Sequence, residues 1–381
     1  PYTTKVLSIK ESMSIARTAK ATVIANVLAD LDEVINGNYL PTSYDADNKG
    51  RITRWAAMAI KAKIYLFEGN WTQVKNITST IMTEGGFKLF GSYAGLFEIA
   101  NEYNSEVILD AQYRPTSREH QMMYVFLPPT LGGYSQLSPL QELVDSYIML
   151  DGKTIKETGT SFDESHPYAN RDPRLKATVM YTGNSYTLAD GTEVVINCEK
   201  GEGKDGYGVG SDCSATGYYI KKYWDNTYRA TLYSGLNPIL IRYADILLMN
   251  AEALAELGEL DKTAWDATIK PIRDRAGFTL ASALEFPEGA SKDKLIEIVR
   301  NERRSELALE GHRHKDIIRW RIADNVLNGW CHGLKTNDVV GTDDGYVRVE
   351  NRTFNANKHY LWPIPQAERD LNGNLEQNPN W

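Results

Sequence analysis

Apolar residues recur at helical spacing between residues 240 and 320. One stripe holds Tyr243, Leu247, Leu254 and Leu257, and a second beside it holds Ala244, Leu248, Ala251 and Ala255, which places both on one side of a helix. The alanines matter because small side chains let a neighbouring helix come close. Gly258 follows where a left-handed residue would end the helix. Leu260, Ala264, Ala267 and Ile272 continue on a return helix that Gly277 ends, with a kink or break predicted at Pro271. A further periodic run, KDKLIEIVRNERRSELALEGHRHKDIIRW, closes the stretch and also reads as helix.

The same grammar appears near the start. Ile9 to Ile35 reads as helix, with Ala16, Val23, Val27, Leu31 and Val34 apolar and Gly37 and Pro41 as its stop. Thr53 to Phe67 is the next, with Ala56, Ala59 and Ala62 as its small face; Trp71 then opens a helix to about Met82. KAKIYLFEGNW and AEALAELGEL share one pattern: an Ala/Leu-rich helix, a terminal Gly, and an apolar residue that starts the return. This weak repeat predicts stacked hairpins of the tetratricopeptide type. The expected fold is therefore all-α, one unit over 1–381, with a helical scaffold at about 9–84 and 240–320.

Between about 85 and 239 the character changes. Gly, Pro, Tyr, Asn and Asp dominate, and only short strand-like runs such as EVILDAQY and GYYIKKYW interrupt them, with a helix predicted from Leu140 to Tyr147. So much irregular chain is uncommon in a compact protein unless it carries function, so the ligand region is expected here. After Trp320 a polar stretch leads to a tail, 321–381 overall, whose Leu361, Trp362, Ile364, Pro365 and Trp381 are apolar enough to predict packing onto the body.

Composition narrows the classes. The 381 residues are 42% hydrophobic and 24% charged, as in ordinary globular proteins, and the net charge of −8 argues against nucleic acid, which needs a basic face. No apolar run is long enough to cross a bilayer, and Pro1 is no initiator residue, which predicts a processed chain. Twenty-two tyrosines and eight tryptophans stand out; exposed in loops as a group, such residues mark binding surfaces.

The three cysteines form no CxxC pair and are too sparse for a zinc site. Cys198 and Cys213 bracket a Gly-rich loop. Free thiols are the expectation; a bridge, the alternative, would add up to about 3 kcal/mol. Asp45, Asp47 and Gly50 resemble the start of a calcium loop, but Lys49 and Ala56 stand where oxygen ligands belong, so a plain polar turn is predicted.

Catalytic patterns fare no better. Glu302, Glu306 and Glu310 recur every four residues with Arg303 and Arg304 between. Paired carboxylates serve glycoside hydrolysis, yet flanking arginines at this spacing predict an ion-pair network. His312 and His314 are two apart and would point different ways on a helix. Asp163 and Glu164 lie near His166, but proximity in sequence makes no triad. No enzyme activity, cofactor or metal is expected.

Several blocks carry a family resemblance: LIRYADILLMNAEALAELGE, NERRSELALEGHRHKDIIRW and LWPIPQAERDLNGNLEQNPNW in that order, with WAAMAIKAKIYLFEGNW and YANRDPRL upstream. Together they resemble the SusD/RagB family across essentially the whole chain. The resemblance implies a surface-exposed lipoprotein of the bacterial outer membrane that captures nutrients, usually glycans, for a SusC-like TonB-dependent transporter. It also implies a lipidated cysteine and an N-terminal helical region ahead of the point at which this sequence starts. The family's motifs do not fix the ligand loops.

Sugar chemistry supplies the candidates there. A flat aromatic ring covers the C–H face of a sugar, and amide or charged groups meet its hydroxyls. Tyr124, Tyr134, Tyr181, Tyr186 and Tyr207 are the stacking candidates, with Asn184 and Asp205 as polar partners. Trp224 and Tyr228 rank second because they follow a strand. The rival readings are a peptide-binding member of the same family and a pure protein-interaction scaffold.

Overall fold

The structure is a computed structural model that describes residues 1–227 and 232–381. Eight helices build the scaffold: α1 (Lys20–Asn36), α2 (Arg54–Phe67), α3 (Trp71–Glu84), α4 (Tyr243–Leu257), α5 (Lys262–Ala267), α6 (Ile269–Ala276), α7 (Lys292–Glu306) and α8 (Arg313–Arg319). They stack as a row: α1 on α2, α2 on α3, α3 on α4, and α4 on α7. The alanines explain the close rows. Ala56, Ala59 and Ala62 of α2 and Ala244, Ala251 and Ala253 of α4 are fully buried. Leu248 lies between α4 and its neighbours without exposure, a burial worth about 1.5–3 kcal/mol.

The hairpin turns follow the glycines. Gly69 after α2 and Gly258 after α4 are both left-handed, with φ of 71° and 73°, a conformation that costs other residues more. Asn70 and Asp261 then cap the return helices through their side chains. The break expected at Pro271 falls at Thr268, between α5 and α6. A proline ring clashes with the carbonyl four residues earlier, here that of Ala267.

Two helical expectations need correction. Ile9 to Ile35 is not continuous: a short helix at Ile9–Ser12 is followed by a turn and irregular chain before α1. The side chains of Asn372 and Asn374 take the carbonyls of Ser12, Ser14 and Ile15 that a helix would use. The final periodic run likewise divides, α7 and α8 being separated by a turn in which Leu309 and Gly311 have positive φ.

Helix outweighs strand without filling the chain, about 38% helix against 11% strand. Nine short strands form four small sheets among the described residues. β1 (Val107–Asp110) pairs antiparallel with β6 (Ile239–Arg242), joining the two ends of the loop region. Within that region β2 (Val179–Met180) pairs with β5 (Tyr219–Ile220), and β3 (Ser185–Thr187) with β4 (Glu193–Val195). The polar stretch after Trp320 contains a sheet that sequence reading missed: β7 (Gly329–Lys335), β9 (Tyr346–Arg352) and β8 (Thr342–Asp343), in that order.

His332 clamps this sheet to the short Gln141–Ser146 helix. Its Nδ1 lies 2.8 Å from a Glu142 carboxylate oxygen and its Nε2 lies 3.0 Å from one of Asp343. Burial opposes its charge, but the hydrogen bonds to Asp343 and Glu142 outweigh it and raise its pKa. The bonded imidazolium therefore stabilises fully below the unfolded value of 6.5, and that contribution is lost as pH rises through the raised folded value. The denaturant midpoint is expected to fall as pH rises above 6.5 through the raised folded value, and less steeply in His332→Gln. Equal slopes in both proteins would remove the clamp from the account.

Cys198 and Cys213 are free, the first buried and the second donating to the Lys204 carbonyl at 3.3 Å. Intact mass is expected to show no shift of about 2 Da between oxidised and reduced samples.

Candidate functional site

The loop region has its own core. Tyr93, Phe97, Met123, Tyr147, Tyr186, Tyr218, Tyr219 and Tyr223 are buried together there. Their hydroxyls mostly find partners: Tyr186 donates to the Ile220 carbonyl at 2.7 Å and Tyr218 to Gln141 at 2.6 Å. Much of the chain's tyrosine thus fills a core under the loops, because tyrosine supplies apolar area and a polar tip together.

That accounts for Tyr186, which is completely buried and cannot meet a ligand. Asn184, 1% exposed, is also internal. Its amide donates to the carbonyls of Lys176 and Val179 at 2.9 and 3.0 Å, and its oxygen accepts from Lys221 at 3.1 Å. Asp205 is buried and acts as a latch between loops: its carboxylate accepts from the Thr130 backbone N–H at 2.8 Å and from the Thr130 hydroxyl. Tyr207 is half-buried against the loop core. Trp224 donates to the Thr187 carbonyl at 2.8 Å and tilts onto Tyr186. Tyr228 lies outside the described residues.

The remaining candidates, Tyr124, Tyr134 and Tyr181, stand in two stacked pairs, the second completed by Tyr168. Tyr124 and Tyr134 stack with ring centroids 4.3 Å apart and planes 29° apart. Local backbone sets this up. Tyr124 lies on the short helix Met122–Phe126, and the Tyr134 N–H bonds the Tyr124 carbonyl at 3.0 Å. The intervening turn holds Gly133 so near Leu127 that a Cβ would sit 2.1 Å from the Leu127 carbonyl oxygen. Tyr134 is 40% exposed, while Tyr124 is half-buried against the loop core, so the stack reaches solvent chiefly through Tyr134.

Tyr181 stacks on Tyr168, centroids 4.0 Å apart and planes 17° apart, in the wall of a cleft of about 900 Å³. Tyr218 meets Tyr168 edge-on, and the two hydroxyls are 3.2 Å apart. Burial pushes the Tyr168 hydroxyl up to about 12, so it stays protonated and able to donate. The rim carries polar pairs, Lys335 with Glu164 at 3.0 Å and Lys200 with Asp338 at 2.5 Å. Tyr168 escaped sequence reading because nothing local marks it. Its partner stands thirteen positions on, across the Pro173–Thr178 helix and β2.

The acidic and basic clusters behave differently. Asp163 and Ser165 both bond His166 on Nδ1, at 2.8 and 3.1 Å; a relay would need the hydroxyl on the opposite nitrogen. Glu302, Glu306 and Glu310 enter a buried network with Glu106 and Asp172, facing Arg174, Arg242, Arg273, Arg275 and Lys222. Five carboxylates thus meet five cations. Arg242 contacts Glu106, Glu306 and Glu310 at 2.6–2.8 Å. Burial raises the Glu310 carboxyl, but Arg242 and Lys222 outweigh it and hold it at about 2. His312 is pushed down to about 4, chiefly by burial.

This network ties the loops to the scaffold. Asp172, Arg174 and Lys222 come from the loop region and Arg242 from β6, while Glu302 and Glu306 lie on α7. The tyrosine pairs are therefore carried on loops held by buried charge as well as by apolar packing.

Fold and site together define a helical scaffold that presents stacked aromatic faces on anchored loops. The model of the SusD family matches residues 96–381, and the chain belongs to that family. It is 28% identical over 351 residues to SusD-like protein P25 of Formosa agariphila, covering 86% of this chain and 60% of that relative. It is 24% identical over 326 residues to a SusD-like protein of Bacteroides ovatus, covering 79% of this chain and 53% of the relative. The chain thus spans little more than half the length of these relatives. Among solved structures, a SusD-like carbohydrate binding protein from Bacteroides fragilis matches with a TM-score of 0.87 at 29% identity, over 99% of this chain and 75% of that one. A laminarin binding SusD-like protein shares the fold, with a TM-score of 0.64 at 23% identity over 100% of this chain and 74% of that one.

Proposed function

We propose that this protein binds glycans without cleaving them, at the surface of the bacterial outer membrane, and passes them to a SusC-like TonB-dependent transporter. The observation that carries the reading is the Tyr124–Tyr134 stack, an aromatic pair that reaches solvent through Tyr134 on a turn that leaves it little freedom. A sugar ring is recognised by an aromatic face. The cleft beside Tyr168 and Tyr181 adds a second stack with polar groups at its rim. The likeness to the carbohydrate binding protein from Bacteroides fragilis supports the same class of ligand. The stacked helix pairs serve as a tetratricopeptide-like tray, and a lipid anchor would hold the protein at the membrane.

Calorimetry against plant, host and microbial polysaccharides tests the reading. Saturable binding to at least one glycan is expected, with no release of reducing ends. Silence across the panel together with binding of peptides would replace the glycan by peptide cargo.

A further inference from the structure

A second cleft, of about 820 Å³, opens on the helical scaffold between α7, α8 and the chain at 148–157. Trp265 and Trp320 form part of its lining, with Arg300, Arg304 and Arg313 beside them. Of the six carboxylates in its lining, five are already engaged, and the sixth, Asp293, is exposed to solvent and pairs with neither Arg304 nor Arg313. Glu256 pairs with Arg300 at 2.9 Å, Glu297 with Lys294 at 3.3 Å, and Glu285 with Lys270 at 2.7 Å. Glu157 accepts from the Thr154 N–H and Asp151 from the Lys153 N–H.

Two guanidiniums are left over. Among the described residues Arg304 bonds only the backbone carbonyl of Glu142, whose own carboxylate is turned to His332. Arg313 makes no hydrogen bond or ion pair among the described residues and lies only over the Trp320 ring, 5.9 Å from its centroid. The Nε of Arg300, also lining the cleft, is buried without a partner. Buried cations are ordinarily paired, and unpaired ones are costly. Here burial lowers Arg304 to about 10, and the charge of Arg313 adds to the effect. Two like charges share one cleft, and the carboxylates that act on them from a distance, Glu142 and Asp145 on Arg304 and Asp316 on Arg313, each bond another side chain.

We infer that this cleft is an oxyanion site, in which Arg304 and Arg313 receive a carboxylate or sulfate group while the tryptophans wall its apolar side. The planar forks of two arginines suit such a group, which offers several acceptors at once. The site is separate from the tyrosine pairs and does not depend on their function. The oxyanion comes either free from solution or on an acidic sugar, and the test separates these sources.

Calorimetry with tri-galacturonate, with a neutral maltotriose control, and thermal unfolding in sodium sulfate against sodium chloride at matched ionic strength are the two arms. Sulfate stabilises proteins in general, so the informative quantity is its extra effect on the wild type over Arg313→Gln. A larger sulfate-dependent rise in the wild type is expected. If tri-galacturonate also binds, displaced by sulfate and weakened about tenfold in Arg313→Gln, the source is an acidic sugar; a response to sulfate alone assigns a free ion. Arg313→Lys, which keeps the charge without the fork, is expected to fall between and serves if the glutamine variant folds poorly. An identical sulfate response in all three proteins, with no tri-galacturonate binding sensitive to position 313, would overturn the site.

Discussion

Glu306→Gln is expected to cost about 3–5 kcal/mol of folding stability, read as a lower denaturant midpoint by circular dichroism. Glu306 contacts Arg174 at 2.9 Å, Arg242 at 2.6 Å, and Arg275, so neutralising it leaves buried positive charge in excess. Glu297→Gln is the control. It sits on the same helix but its side chain is 61% exposed, and its change should stay within about 0.5 kcal/mol. Comparable losses in the two variants would show that the buried network contributes nothing special. Acid should act through the same groups. Burial raises the Glu306 carboxyl, but Arg275, Arg242 and Arg174 outweigh it and hold it far below 4.5, while Glu310 is held at about 2. Their stabilisation is present above pH 4.5 and is lost as pH falls towards those values. His312, with its folded value near 4 against 6.5 unfolded, starts the decline earlier, from about pH 6.5 downward.

The second large effect concerns ligand. Tyr134→Ala is expected to weaken glycan binding about tenfold, and the double variant with Tyr124→Ala still further, because an aromatic face contributes about 0.5–1.5 kcal/mol beyond its area. Tyr186→Ala should behave in the opposite way. It empties a fully buried position and removes a hydrogen bond to Ile220, so it should cost about 3–5 kcal/mol of stability. Unchanged glycan affinity in a folded Tyr124→Ala/Tyr134→Ala protein would remove the shelf from the proposed function.

The helical scaffold was legible because its signals are local. Alanine stripes, side-chain caps and glycine stops each act within a few residues, and Gly69 and Gly258 ended their helices as the pattern predicted. The glutamates at 302, 306 and 310 were also readable as structural, although their partners at 174, 222 and 242 were not. The sheet formed by β7, β8 and β9 went unseen. Its residues do not alternate cleanly between apolar and polar, and part of its hold on the body comes from His332 and the distant Glu142. The candidate site was legible in kind only. Composition flagged tyrosine-rich loops, yet the same residue type fills the core and faces solvent, and which it does depends on long-range contacts. Tyr186 and Tyr134 look alike in sequence and differ completely in exposure.

The buried charges also bear on how binding specificity can be transplanted. An engineer moving the 85–239 stretch of this protein into a relative would carry over Glu106, Asp172, Arg174 and Lys222, while Arg242, Arg273, Arg275, Glu302, Glu306 and Glu310 would be supplied by the recipient. A recipient lacking any of these would hold an odd charge at the seam. Chimeras should therefore succeed or fail on those few junction residues before any sugar is offered to them.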